Sequence, residues 1–490
     1  MKAILTLQHC RSVETIRVTS RPETPLGADM VLIEKIADYI VQEQTRTLPP
    51  RTIHHAKRAV IDWFAAMYPG AVQEPNPMLR AALLDSGDPQ HATIFPTGDH
   101  STVKTAAFLN GASAHTSEFD DIFRDGGLHP GCATIAAALA VAQKHKRSGD
   151  ALLRSVIAGY EVSSRISAAM GRDHYRYWHT TATIATFGAA AATAVLLGLN
   201  RDQTAHALAT SATLAAGLQQ AFRSDGMSKP LHAGHAAETG AMAAIAAGKG
   251  VTGALDVLEG PAGMGAAMSG TADWDKATSG LGDTYNIEMI TFKNHGCCGH
   301  TFAAIDGVLA VMNAEQMIAS DIADIAIASY GPAVSITDRA DPQTPQEGKF
   351  SMQYVVAHAV HYGSVRIEAF AAERMRDPAI RAMLPHIQVS LDPQIDAQFP
   401  SRRAAHVSIT TRDGRTFSHY QPTRKGDPDL PLSDNELNAK FIELTTPILG
   451  SISTNALLEK LWQLETIEVA SILASAVIRR DSETGNHLPN

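Results

Sequence analysis

A mainly α-helical protein is predicted, with a large all-helical domain and a smaller α+β lid domain inserted into it. Three observations carry this. Alanine-rich runs fill the stretch from about Thr102 to Lys249, and Ala, Leu, Met, Gln and Glu favour helix while small side chains let helices approach closely. Near Asn286 the pattern turns to alternation, and from Ser433 to Arg480 helical patterning returns. At 490 residues the chain is also too long for one ordinary core, so two units are expected.

In chain order, residues 1–28 read as a loose N-terminal extension. Helical periodicity begins with MVLIEKIADYIVQEQ and continues around 50–69, 76–86, 101–118, 131–147, 149–171, 180–197, 201–216, 229–248 and 252–258. IEMITFK then reads as a short extended segment, CGHTFAAIDGVLAVMNAE as a helix and ADIAIASYGP as a strand. AAHVSITTRDGRTFSHY holds two alternating segments around Asp413 and Gly414, the turn pair expected of a hairpin. The expected division is therefore 29–285 plus 433–490 for the helical domain and 286–432 for the lid domain, with a cleft at their junction.

Composition narrows the function. The formal net charge is −9 and no lysine or arginine run interrupts it, which disfavours a nucleic-acid partner. Cys10, Cys132, Cys297 and Cys298 form no CxxC pair, so neither a disulfide framework nor a zinc site is indicated, and a reducing cytoplasm fits. No apolar stretch looks long and uninterrupted enough to span a bilayer, and the N-terminus lacks a signal-peptide pattern. With no Gly-rich dinucleotide loop and no metal-ligand set, no cofactor and no metal are expected.

Five segments hold the chemistry. HTSEFDDIFRDGGLHP packs Glu118, Asp120 and Asp121 between His115 and His129. Carboxylates crowded in this way either face water or meet cations, and His129 stands on a glycine loop where an imidazole can trade protons. A solvated acidic loop is the other reading. HYRYWHTTATIATFG places His179 before a helix start whose free N–H groups suit an anionic oxygen, or simply caps that helix. MSKPLHAGHAA sets Lys229 at a helix start with His232 and His235 within two turns, and TFKNHGCCGH offers Lys293, His295 and His300. EGKFSMQY adds Lys349, Ser351 and Tyr354, the last of which also suits an amphipathic core position.

EFDD followed by glycines and HP, WHTTATIATFGAAAA, MSKPLHAGHAA, TFKNHGCCGH and EGKFSMQY, in this order, resemble the MmgE/PrpD family over about residues 30 to 480. That family contains 2-methylcitrate dehydratases, cis-aconitate decarboxylases and iminodisuccinate epimerases. The resemblance implies a helical domain with an α+β lid, a homodimer through the helical domain, and no required metal or organic cofactor. It implies acid/base roles for His129 and His179, carboxylate binding by Lys229 and Lys293, and a place for Tyr354 in the pocket. Glu118 stands where the family usually has aspartate. Thr180 stands where proline is common, and Glu238 and Thr239 replace the usual arginine and asparagine.

Loss of a proton or of CO₂ beside a carboxylate builds carbanion charge, which two lysines at a cleft can stabilise while a histidine handles the proton. The expectation is a cofactor-independent lyase for a small di- or tricarboxylate. His129, His179 and Tyr354 would be catalytic, and Glu118, Asp121, Lys229, His232 and Lys293 would bind substrate. Epimerisation of an amino or imino dicarboxylate uses the same proton abstraction without a leaving group, and a non-catalytic polycarboxylate-binding dimer would need the lysines alone.

Overall fold

The computed structural model describes residues 31–222 and 226–478, so the expected loose extension, 1–28, lies outside the described residues. Ten helices build the first half: α1 (Leu32–Glu43), α2 (Pro50–Ala71), α3 (Asn76–Leu83), α4 (Val103–Thr116), α5 (Pro130–Lys144), α6 (Gly149–Tyr177), α7 (Thr180–Thr183), α8 (Ala185–Leu197), α9 (Arg201–Leu214) and α10 (Lys229–Ala247). Their signals are local. Thr102, Ser148 and Asn200 accept backbone N–H groups at the starts of α4, α6 and α9, and Pro130 and Pro230 open α5 and α10 at positions that need no N–H. The expected helix end at Gly171 falls on a break inside α6, where Gly171 takes a φ of 68° before one further turn.

Helix α10 lies at the centre of this body, packed on α4, α5, α8 and α9. Close approach explains the small residues. A Cβ on Gly240 would meet the Thr186 carbonyl oxygen at 2.4 Å, and one on Gly234 would meet that of Phe108 at 2.5 Å. One sequence expectation changes here. Thr180–Leu197 is long and apolar enough to cross a bilayer by length and composition, and 89% of it is buried inside the protein as the core pair α7 and α8.

After α10 the chain departs from expectation at 252–258, which forms turns and no helix. Gly253 interrupts it and Gly250 and Gly260 bound it, and helix propensity cannot outweigh them. IEMITFK is extended only from Ile290 onward. It opens with a 3₁₀ turn at Asn286–Met289 and pairs only through an isolated bridge between Thr291 and Ile122.

Six strands are described. β1 (Ala92–Ile94) and β2 (Asp99–Ser101) form a small antiparallel pair. β3 (Ile322–Ser329), β4 (Ile387–Leu391), β5 (Ala405–Thr411) and β6 (Thr416–Gln421) form a sheet in the order β4-β3-β5-β6, with β3 and β4 parallel and the other pairs antiparallel. The hairpin β5–β6 turns at Asp413 and Gly414 as expected, with Gly414 at a φ of 86°. Alternating burial along β5 puts one face against the helix Phe302–Ala314.

Buried apolar side chains gather into two clusters. The larger joins residues 33–292 to 432–476, because the helix Asp434–Leu449 packs back on α2. The smaller runs from Cys297 to Ile409 around the four-stranded sheet. The loop from Thr291 to Thr301 crosses from one cluster to the other, and it carries Lys293.

Candidate active site

Helix α4 ends with His115 in its last turn, and the chain then reverses at Glu118, which takes a φ of 62°. Left-handed backbone is costly for glutamate and persists only where the surroundings fix it. Here they do. The buried ammonium of Lys440, itself 2.6 Å from Asp62 Oδ1, donates to the Phe119 carbonyl at 3.0 Å. The backbone N–H and carbonyl groups of Ile122 and Thr291 exchange two hydrogen bonds of 2.9 Å, which draws Lys293 alongside this loop.

Four further residues arrive on helix starts. His129 is the residue before α5, and its N–H donates to Thr181 Oγ1 at 3.1 Å. His179 precedes α7, with its N–H bound to the Gly217 carbonyl at 3.0 Å. Lys229 and His232 lie in the first turn of α10. The result is one continuous cluster. Lys229 Nζ donates to Glu118 Oε1, and Lys293 Nζ stands 3.5 Å from Glu118 Oε2 and 3.4 Å from Asp120 Oδ1. Asp120 Oδ2 lies 2.5 Å from His115 Nδ1 and 3.0 Å from His129 Nδ1. The rings of His129 and His179 flank His115 at centroid distances of 4.9 and 5.4 Å, and His179 Nδ1 meets His232 Nδ1 at 3.0 Å.

Charge in this cluster is sorted by position. Burial alone would raise Asp120, but His129, His115 and Lys293 outweigh it and hold the carboxyl well below its usual range. Burial is likewise outweighed at Glu118, where Lys229 and then Lys293 keep the group ionised. At Lys293 burial would lower the ammonium, and Asp120 and Glu118 raise it instead. The imidazoles go the other way. Burial pushes His115 down to about 4 against the pull of Asp120, and burial, His115 and Lys229 drive His179 well below its usual value. His232 is lowered by burial, with His235 and Lys229 adding to it. Two ammonium groups, two carboxylates and the neutral imidazoles of His115, His179 and His232 therefore meet His129 in one largely buried place, an arrangement suited to proton transfer beside an anion.

The structure brings together six of the eight residues expected from sequence: Glu118, His129, His179, Lys229, His232 and Lys293. It does not bring Asp121 or Tyr354. Asp121 points away from the lysines, accepting from Tyr160 Oη at 2.7 Å and from the Gly131 N–H at 3.1 Å. Tyr354 is buried in the smaller apolar cluster and its hydroxyl donates to the Ala369 carbonyl, the amphipathic core role. Two residues not chosen from sequence, Asp120 and His115, are the hub. Alternation could have found Asp120: in a non-helical loop Glu118 and Asp120 share a side while Phe119 and Asp121 take the other.

Burial raises the Asp121 carboxyl to about 8, with the hydrogen bond from Tyr160 opposing and Asp62 and Asp120 adding to the rise. Its folded value thus exceeds the unfolded value of about 4, so the folded state holds the extra proton and loses stability as pH rises from about 4 to about 8. Urea unfolding across this range should show a shallower decline for Asp121→Asn than for the parent. An equal slope would contradict a protonated Asp121.

His115, Asp120 and Cys132 come within 4.8 Å of one another and are the one group of this kind among the described residues. They do not fit an ion as they stand. Ligand atoms about 2.0–2.3 Å from a tetrahedral metal sit more than 3 Å apart, whereas His115 Nδ1 and Asp120 Oδ2 are 2.5 Å apart and share a proton. Cys132 Sγ, raised well above its usual value by burial, donates to the His129 carbonyl.

With this geometry in place, comparison with known proteins gives the class. Residues 34–277 match the MmgE/PrpD N-terminal domain and residues 295–464 match the MmgE/PrpD C-terminal domain. The chain belongs to the MmgE/PrpD family. Among its relatives, cis-aconitate decarboxylase of Homo sapiens is 27% identical over 450 residues, covering 87% of this chain and 90% of the relative. The cis-aconitate decarboxylase of Mus musculus is 27% identical over 408 residues, 78% of this chain and 82% of the relative. A cis-aconitate decarboxylase-like protein, oryM, of Aspergillus oryzae is 24% identical over 484 residues, 93% of this chain and 99% of the relative.

Proposed function

We propose that the protein is a lyase that decarboxylates a small unsaturated tricarboxylate of the cis-aconitate kind. The observation that carries this is the buried cluster itself, in which Lys229 and Lys293 stand on carboxylates next to four imidazoles. The named relatives favour decarboxylation over dehydration. In the proposed step the C–C bond to one carboxylate breaks, CO₂ leaves, and the electron pair passes into the conjugated C=C–COO⁻ system. One proton then closes a new C–H bond. Lysine charge stabilises the negative charge that builds up on the remaining carboxylates, and most strongly when that charge is greatest.

His129 is assigned as the proton donor because Asp120, 3.0 Å from its Nδ1, can hold the charge of an imidazolium. His179 has a neutral ring against His232 and is assigned as the acceptor or orienting group. A second reading draws on the same pair. Two imidazoles on either side of His115 could serve as acceptor and donor for epimerisation of an imino dicarboxylate. Following cis-aconitate, 2-methylcitrate, citrate and iminodisuccinate by NMR in D₂O separates the readings, since only decarboxylation releases CO₂ and only epimerisation labels recovered substrate.

A further inference from the structure

Lys229 and Lys293 are already neutralised by Glu118 and Asp120, but a third lysine beside them is not. Lys349 ends the short helix Pro345–Lys349, and the Cys298 N–H donates to its carbonyl at 2.9 Å, which ties it to the loop that bears Lys293. Its ammonium lies 5.9 Å from the Phe370 ring centroid, and among the described residues it has no ion pair and no hydrogen-bond acceptor. It lines a cavity of about 290 Å³ together with Ser117, Phe119, Gly296 and Phe370. Ser117 and Phe119 are the neighbours of Glu118, so this cavity abuts the lysine–carboxylate cluster. Glu368, exposed, is the other charged residue lining it.

The charges point to an anion. Lys229, Lys293 and Lys349 outnumber the two cluster carboxylates, Glu118 and Asp120, by one, while Glu368 on the cavity wall is exposed to solvent and screened by it. Burial lowers the Lys349 ammonium, Glu118 is the strongest group opposing that fall, and Lys229 and Lys293 add repulsion. A half-buried ammonium with no ion pair among the described residues favours a carboxylate partner. A cavity near 300 Å³ is at the small end for ligand sites and suits a small acid.

Resting on the polycarboxylate reading above, we propose that this cavity receives the third carboxylate of the substrate and that Lys349 binds it, so that the protein selects tricarboxylates over dicarboxylates. The test uses two non-reacting probes, tricarballylate and glutarate, which differ by the central carboxylate, measured by titration calorimetry on the full chain. The unmutated protein is expected to bind tricarballylate about tenfold more tightly or better, as one charge-assisted contact allows. Lys349→Met should lose that preference while its glutarate affinity holds, and Lys349→Arg should recover most of it. Because the ammonium has no ion pair and no hydrogen bond among the described residues, the melting temperature of Lys349→Met should not fall by more than the weak contact with the Phe370 ring allows. Retention of the preference in Lys349→Met overturns the subsite alone. A lowered melting temperature with loss of both probes marks Lys349 as structural and also overturns it. If the unmutated protein binds neither probe, the polycarboxylate reading fails and the subsite with it.

Discussion

His129→Ala and His179→Ala are each expected to lower kcat by about two to four orders of magnitude while KM for cis-aconitate moves only a few fold. A histidine acting on a proton contributes mainly in the transition state, whereas an ammonium meeting a carboxylate contributes already in the ground state. The geometry separates these roles. His129 sits 3.0 Å from Asp120 and His179 stands on His232, while the lysines meet the carboxylates. His179 is buried, so its truncation also opens a cavity, and His179→Gln with a matching melting temperature isolates the chemical effect. Steady-state kinetics on all three variants decides. If turnover stays within a few fold, the proton passes through another group, and His115 and His232 are the next to test.

Lys293→Met is expected to destabilise the fold by about 3–5 kcal/mol in urea unfolding, the usual cost of removing one partner from a buried pair. Judged from sequence, both Lys229→Met and Lys293→Met are expected to weaken binding and leave the fold intact, and burial changes that for one of them. Lys293 is 3% exposed, and without it Asp120, 2% exposed, keeps its charge with only imidazoles to meet it. Lys229 is 22% exposed and its partner Glu118 retains Lys293, so its loss should cost about 1 kcal/mol or less. Asp120→Asn in the Lys293→Met background should recover part of the loss, because it removes the charge left behind. Equal stability of the two single variants would contradict the buried network.

Much of this was legible because the signals are short-range. The helix starts at Pro130, Lys229 and Ser433, the hairpin at Asp413–Gly414 and the small residues of α10 follow from local chemistry. What was not legible depends on distant partners. Nothing near Asp121 announces Tyr160, thirty-nine residues away, which takes it out of the site. Nothing near Phe119 announces Lys440, whose ammonium fixes the loop between Glu118 and Asp120. The strand β4 escaped notice because IQVSL is brief and half exposed, and its parallel partner β3 lies far upstream. The motif EGKFSMQY implies a pocket role for Tyr354, yet its ring faces the smaller core.

The claim that this cluster moves a proton beside a carboxylate is tested most directly by turnover of cis-aconitate in D₂O, with carbon-bound deuterium and CO₂ counted together. The expected result is one deuterium in each product molecule for each CO₂ released, with recovered substrate unlabelled and the label rate falling in step with kcat in His129→Ala. Deuterium in recovered substrate without CO₂ would contradict decarboxylation, and neither label nor CO₂ despite binding would contradict proton chemistry at this site altogether.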